Sequence, residues 1–196
     1  MTLSRIFVIS TILLISVACA ADKPATDASD TAVPAATTMK SSGGGDGLAL
    51  PGARVDQPAG WAFRAPSSSM RLAEAEIPGP GGPALLTVFF FGAGGGGGID
   101  ANLQRWAGQM EADPGAETVR DSYQINGYTV STIGVAGTLL PSRMGGGPTE
   151  PAPGSRLLGA VIEGSGGPWF FKMTGPAETV LAAAPAFDGM LRSISP

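Results

Sequence analysis

Two glutamates of this chain have the spacing that is most similar to a catalytic or metal-binding pair. Glu74 and Glu76 lie two residues apart in a predicted strand, so both carboxylates point to one face of the sheet. Such a pair could bind a divalent cation or share general acid and base roles. The spacing also fits a solvated polar face that alternates with apolar neighbours, and this second interpretation is favoured because residues 72–77 alternate in that way.

A glycine run, Gly92–Gly98, follows a predicted strand and precedes a predicted helix. It matches the dinucleotide-binding pattern GxGxxG, with Asp113 further along the chain. Any run of glycines satisfies that pattern, however, and Asp100 would put a negative charge where a pyrophosphate has to bind. We therefore predict no nucleotide cofactor and interpret the run as a flexible loop that lets the next helix fold back over the sheet.

The composition excludes several classes of function. The 196 residues include no histidine and one cysteine, which removes imidazole-based triads, Cys-rich zinc sites and an internal disulfide. A net charge of −4 and a pI of about 4.7 argue against a nucleic-acid surface, which needs clustered Lys and Arg. We predict a protein that is not an enzyme and has no catalytic residue, no metal and no cofactor.

Residues 1–18 are typical of an export signal: Arg5 precedes an apolar run that is too short to span a bilayer. Two processing routes fit the residues that follow. Ile15–Cys19 is similar to a bacterial lipobox, which predicts lipidation of Cys19 and attachment to a membrane. In the alternative, cleavage after Ala20 releases a soluble secreted or periplasmic protein. The lone cysteine at the end of the apolar run favours the lipoprotein.

Residues 19–47 contain almost no large apolar side chain, so they are predicted to be a disordered, lipid-anchored tether. Residues 48–196 are predicted to form a single domain. In it, Asn126 and Gly127 indicate a type I′ hairpin turn, and residues 141–155 indicate a long mobile loop. Pro185 is expected to kink or break the last helix. Periodicity predicts strands at 61–64, 70–77, 85–91, 118–125, 128–140, 157–163 and 169–174, and helices at 100–111 and 176–194.

This order of elements predicts an α+β fold, with a mainly antiparallel sheet of about six or seven strands flanked by helices. Residues 60–195 resemble the Mog1/PsbP-like α/β/α sandwich proteins, in particular small exported bacterial members of unknown function. The resemblance is carried by Gly60-Trp61 and by four longer strings, at 86–92, 102–106, 156–160 and 170–176. It implies an interaction role through docking on larger protein assemblies, with no shared catalytic residues.

Two hypotheses for the function follow. The first is a lipid-anchored cell-envelope protein whose domain is a non-catalytic interaction or scaffold module with an envelope protein partner. The second is a small-ligand-binding envelope protein that uses a cleft beside Gly92–Gly98 and the loop at 141–155.

Overall fold

The computed structural model describes residues 47–142 and 147–196. The predicted signal, Cys19 and the tether up to residue 46 lie outside the described residues. Within the described ranges, no helix is both long and apolar enough to cross a membrane. The elements in chain order are β1 Leu48–Leu50, β2 Ala53–Val55, β3 Ala62–Arg64, β4 Ala73–Ile77, β5 Ala84–Phe90, α1 Ile99–Ala107, β6 Met110–Ala112, β7 Val119–Ile125, β8 Tyr128–Leu139, β9 Ala152–Glu163, β10 Trp169–Pro176 and α2 Ala177–Arg192.

The predicted fold class is confirmed: the domain is α+β, with a main sheet of eight strands that are all paired antiparallel. The strand order is β3-β4-β5-β10-β9-β8, and β6 and β7 both pair with the outer edge of β8. β1 and β2 form a separate two-stranded hairpin. β1, β2 and β6 have three residues each and were not predicted, because segments this short show little alternation; β3 is equally short, but the aromatic residues at 61 and 63 indicated it.

The sheet carries one helix on each face, which makes three layers. On the first face, the α1 face, α1 packs against β8 and β9. On the other, the α2 face, α2 packs against β9 and β10, and the β1–β2 hairpin packs against α2 as part of the same core. β10 supplies both cores, because Trp169, Phe171 and Met173 point to the α2 face while Phe170 points to the α1 face.

Helix α1 differs at both ends from the predicted range of 100–111. It begins at Ile99 with Gly98 as its N-cap, so Asp100 lies in the first turn and is not the cap. It ends at Ala107, because the chain then enters the sheet and Met110 pairs with Leu139 in β6. The backbone amide of Leu140 donates to the carbonyl of Gln109 and holds this junction.

Helix α2 continues through Pro185, so of the predicted kink or break, the break is wrong. A proline at position 185 removes the bond that would reach the carbonyl of Leu181. Leu181 is 53% exposed and Pro185 is also exposed, so water can solvate that carbonyl. The proline is therefore tolerated on the solvent side of the helix, opposite a buried stripe that includes Val180, Ala183 and Phe187.

Two other predictions about local structure have clear outcomes. The type I′ turn is confirmed, since Asn126 and Gly127 both have positive φ, at 49° and 84°. The loop predicted at 141–155 is shorter than expected, because β9 begins at Ala152 and pairs with Leu139 across a register shift. Residues 143–146 of that loop lie outside the described residues.

Gly159 of β9 is a point of close approach between α1 and the sheet. A Cβ at this position would lie 2.4 Å from Cε3 of Trp106, whose buried ring also meets Phe170 edge to face. Gly189 in α2 has nothing within 4 Å of such a Cβ, and its φ is not positive. These two glycines therefore respond in opposite ways to the same added methyl group.

We expect Gly159→Ala to lower the free energy of unfolding by about 1–3 kcal/mol, since overpacking forces the indole out of its site. Gly189→Ala should raise that free energy by up to about 1 kcal/mol, because alanine favours the helix. Urea denaturation of the full chain measures both changes. Equal effects of the two substitutions would contradict the close approach of Trp106.

Candidate functional site

A row of polar side chains crosses half of the α1 face. The strand registers align Arg64 of β3 with Glu74 of β4, Glu74 with Thr87 of β5, and Thr87 with Lys172 of β10. The row continues through Gly159, where α1 covers the sheet. We call Arg64, Glu74, Thr87 and Lys172 the polar row.

The segment 65–72 covers Glu74, the member of the polar row that lies on β4. Ser67 donates from its amide at 2.9 Å and from its hydroxyl at 2.7 Å to one oxygen of Glu74. Arg71 pairs with the same oxygen, and Arg64 approaches the other at 3.5 Å. This loop explains why β4 begins at Ala73 and not at the predicted Met70: the chain before it folds over the carboxylate instead of extending the strand.

Glu74 is therefore a buried ion-pair partner. Its side chain is 1% exposed, and that of Arg71 is 8% exposed. Burial alone would raise the pKa of Glu74, but the two bonds from Ser67 and the pairing with Arg71 outweigh burial and lower the pKa to about 2.

The favoured interpretation of Glu74 and Glu76 as a solvated face is wrong for Glu74. Its carboxylate is enclosed by residues 65–72, whereas Glu76 is 53% exposed and pairs with Arg64 at 3.3 Å. The same contacts commit Glu74 to arginine and serine donors, which leaves no paired carboxylates open to a cation. Among the described residues, no group of three His, Cys, Asp or Glu side chains could hold a metal ion.

Lys172, on the central strand β10, is the last member of the polar row and is half-buried. Its Nζ donates to Oε1 of Gln109 at 3.1 Å, and it makes no salt bridge with a described carboxylate. Burial, together with the nearby positive charges of Arg71 and Arg105, lowers the pKa of Lys172 to about 8. It is the sole lysine in residues 47–142 and 147–196.

Sequence reasoning missed Lys172, although the signal was present. β10 runs Trp-Phe-Phe-Lys-Met-Thr from residue 169 to 174, and its lysine is the one charged side chain in a central apolar strand. A charge in such a strand is costly unless a cavity or a partner accommodates it.

Lys172 lines a cavity of about 250 Å³. Its other walls come from the turn after α1, the end of β8 and the chain that follows it. They are Gly108, Gln109, Leu139, Leu140, Pro141, Ser142, Gly147 and Thr174.

A second cavity, of about 700 Å³, shares Leu139, Gly147 and Thr174 with the first and extends towards the start of α2. Its described walls are largely apolar, and they include Leu85, Pro148, Ala152 and Pro176. The loop after β8 thus lines both cavities.

The cleft predicted between Gly92–Gly98 and the loop at 141–155 is not formed. The glycine loop follows β5, whose Phe90 pairs with Trp169 at the start of β10. The 141–155 segment precedes the point where Ser155 pairs with Pro176 at the end of β10. The two loops therefore lie at opposite ends of the same strand.

The glycine loop packs closely against its neighbours, and at Gly96 the packing leaves no room for a side chain. A Cβ on Gly96, where φ is +80°, would lie 2.6 Å from the ring of Phe170. The side-chain amide of buried Asn102 donates from Nδ2 to the backbone carbonyls of Gly96 and Gly98 at 2.7 and 2.9 Å, and Arg105 donates to Oδ1 of Asn102. Asn102 occupies the start of α1, so the loop and the helix are tied together.

An exposed aromatic side chain lies beside this loop. Phe91 is 46% exposed; it stacks on Phe89, with ring centroids 6.2 Å apart, and meets the ring of Phe170 at a tilt of 59°, with centroids 5.8 Å apart. Gly167, in the turn between β9 and β10, comes close to the backbone of Gly92: a Cβ on Gly167 would lie 2.3 Å from the Gly92 oxygen. We call Phe91 together with residues 92–98 and 164–168 the Phe91 surface.

The fold and these features define a three-layer α+β domain with a half-buried lysine on one sheet face and an apolar surface at one sheet end. No protein-family model matches the chain, and no curated protein matches it. Among solved structures, it is similar to PA94 from Pseudomonas aeruginosa, a protein of unknown function proposed to be a regulator. The two share 15% identity with a TM-score of 0.45, over 77% of this chain and 96% of the other. A similarity at this level assigns no function and no residue role.

The buried ion pair gives a prediction about stability. Glu74→Gln leaves Arg71 buried without its counter-charge, so we expect the free energy of unfolding at pH 7 to fall by about 3 kcal/mol. The matched control, Glu76→Gln, should change it by less than about 0.5 kcal/mol because that pair is exposed. Chemical denaturation measures both.

The same variant tests the pKa of Glu74. A lowered pKa stabilises the fold above the unfolded value of 4.5, and this contribution is lost as the pH falls towards 2. The difference between the wild type and Glu74→Gln should therefore shrink from about pH 5 to pH 2. A difference that is constant over this range would contradict the assignment.

Proposed function

We propose that this protein is an exported, lipid-anchored cell-envelope protein whose domain is a non-catalytic interaction module, and that the Phe91 surface docks an envelope protein partner. The observation that carries the proposal is the exposure of Phe91 within a surface built from two charge-free loops. The tether predicted at residues 19–47 would connect this module to the membrane through Cys19.

The chemistry of the Phe91 surface favours a protein partner. Residues 84–99 and 164–171 contain no charged side chain. The cores of protein interfaces are depleted in charged residues and enriched in aromatic ones. Phe91 is held in place by Phe89 and Phe170, so little side-chain entropy is lost when a partner covers it.

The glycines of the Phe91 surface give a partner close access to the backbone. Gly94, Gly97 and Gly98 have no side chain to screen their peptide groups, and all three are exposed. A partner that covers Phe91 can therefore also contact main-chain atoms. The resemblance to Mog1/PsbP-like proteins supports the same role, since it implies docking on larger assemblies.

Photo-crosslinking in the native envelope tests the docking surface. With benzoylphenylalanine in place of Phe91, we expect a discrete adduct of higher mass on a blot, because the probe lies in the interface. The same probe in place of Leu181, which is as exposed but lies on α2, should give none. Adding Ala93→Asp, a charge at an exposed position, should abolish the adduct. Equal labelling at 91 and 181, or no adduct at 91, would overturn the proposal.

The anchor has its own prediction. In cells fed radioactive palmitate, the wild type should incorporate label and fractionate with membranes, because acyl chains on the cysteine bury apolar surface in the bilayer. Cys19→Ser should lose the label and leave the membrane fraction. An unlabelled, soluble wild type beside a labelled control lipoprotein would instead show cleavage after Ala20.

A further inference from the structure

The cavity at Lys172 has the features of a site for an acidic small molecule. The polar part of its wall is the ammonium group of Lys172. In the described structure, the one side-chain hydrogen bond of this group goes to the uncharged Oε1 of Gln109. An ammonium group has three donors, so at least two remain for a ligand.

The charges around Lys172 are mostly positive. Thr87 and Gly159 face it from the flanking strands and carry no charge. Arg105 projects from α1 and bonds to the uncharged amide of Asn102, while Arg71 projects from segment 65–72 and is paired with Glu74. Lys172, Arg71 and Arg105 against Glu74 leave a net positive site, which attracts an anion.

The shape of the cavity restricts the ligand further. Leu139, Leu140 and Pro141 form an apolar wall, and a volume of about 250 Å³ lies below the range of drug-sized pockets. Residues 143–146, which follow Ser142, contain no acidic side chain that could serve Lys172 as a counter-ion.

We infer that Lys172 is the anchor of a binding site for a small organic carboxylate with a short apolar body, whose carboxylate pairs with Nζ while the body packs against Leu139 and Leu140. This site is separate from the Phe91 surface, which lies beyond the other end of β10. The Lys172 site would give the domain a second binding role, independent of the protein partner proposed for the Phe91 surface.

Lysine-specific NMR of the full chain in nonionic detergent tests the site. The chain has three lysines, so ¹³Cε labelling gives three signals, and Lys23 and Lys40 serve as internal references. Butyrate should shift the Lys172 signal saturably at pH 7, whereas butyramide, which has the same shape without the charge, should not. Absence of a saturable shift, an equal shift with butyramide, or phosphate binding as tightly as butyrate would overturn the inference.

The dependence on pH adds a second readout. Because the charged amine binds and its pKa is about 8, butyrate affinity should fall roughly tenfold between pH 7 and pH 9. Lys172→Arg should keep binding and lose this dependence, since arginine stays charged. Lys172→Met should abolish binding, whereas Arg120→Met, which removes one exposed charge, should preserve it. An affinity of the wild type that is unchanged between these pH values would contradict the role of Lys172.

Discussion

The limited width of α1 is the constraint on which the rest of the α1 face depends. A helix is about 10 Å across, and strands lie about 4.8 Å apart, so α1 can cover two strands. It covers β8 and β9. On the other half of the sheet, the loop 65–72 folds over Glu74 of β4 and is held by the buried carboxylate of that residue. The ion pair and the cavity at Lys172 both follow from that division.

The two proposed binding features use the two ends of the central strand β10 differently. At its start, aromatic rings and glycine loops make an uncharged surface around Phe91, where a partner can lie flat against the backbone. Further along the strand, Lys172 and Thr174 line the smaller cavity beside the loop that follows β8. Strand alternation makes this possible, because it directs Trp169, Phe171 and Met173 to the α2 core and leaves the intervening residues for the other face.

Much of the fold could be predicted from the sequence, because the patterns that indicate its strands, helices and turns are local. The alternation of β4, β5 and β8–β10, the Asn126-Gly127 turn and the apolar stripe of α2 each depend on residues close in the chain. Predictions failed where distant residues decided the result. Met110 lies in β6 and not in the predicted helix, because it pairs with Leu139. Pro185 does not break α2, because Leu181, one turn earlier, faces solvent.

The sequence by itself determined the α+β class, the main strands and the lack of imidazole chemistry, since these follow from periodicity and composition. The tertiary structure alone decided which polar residues meet. Glu74 and Glu76 lie two residues apart on the same face of the sheet. Nevertheless Glu74 is enclosed by Arg71 and Ser67, whereas Glu76 is exposed. Strand register placed Lys172 in line with Glu74 across nearly a hundred residues of sequence. Burial and the charges of distant residues set the chemistry of each group, and neither can be read from local pattern.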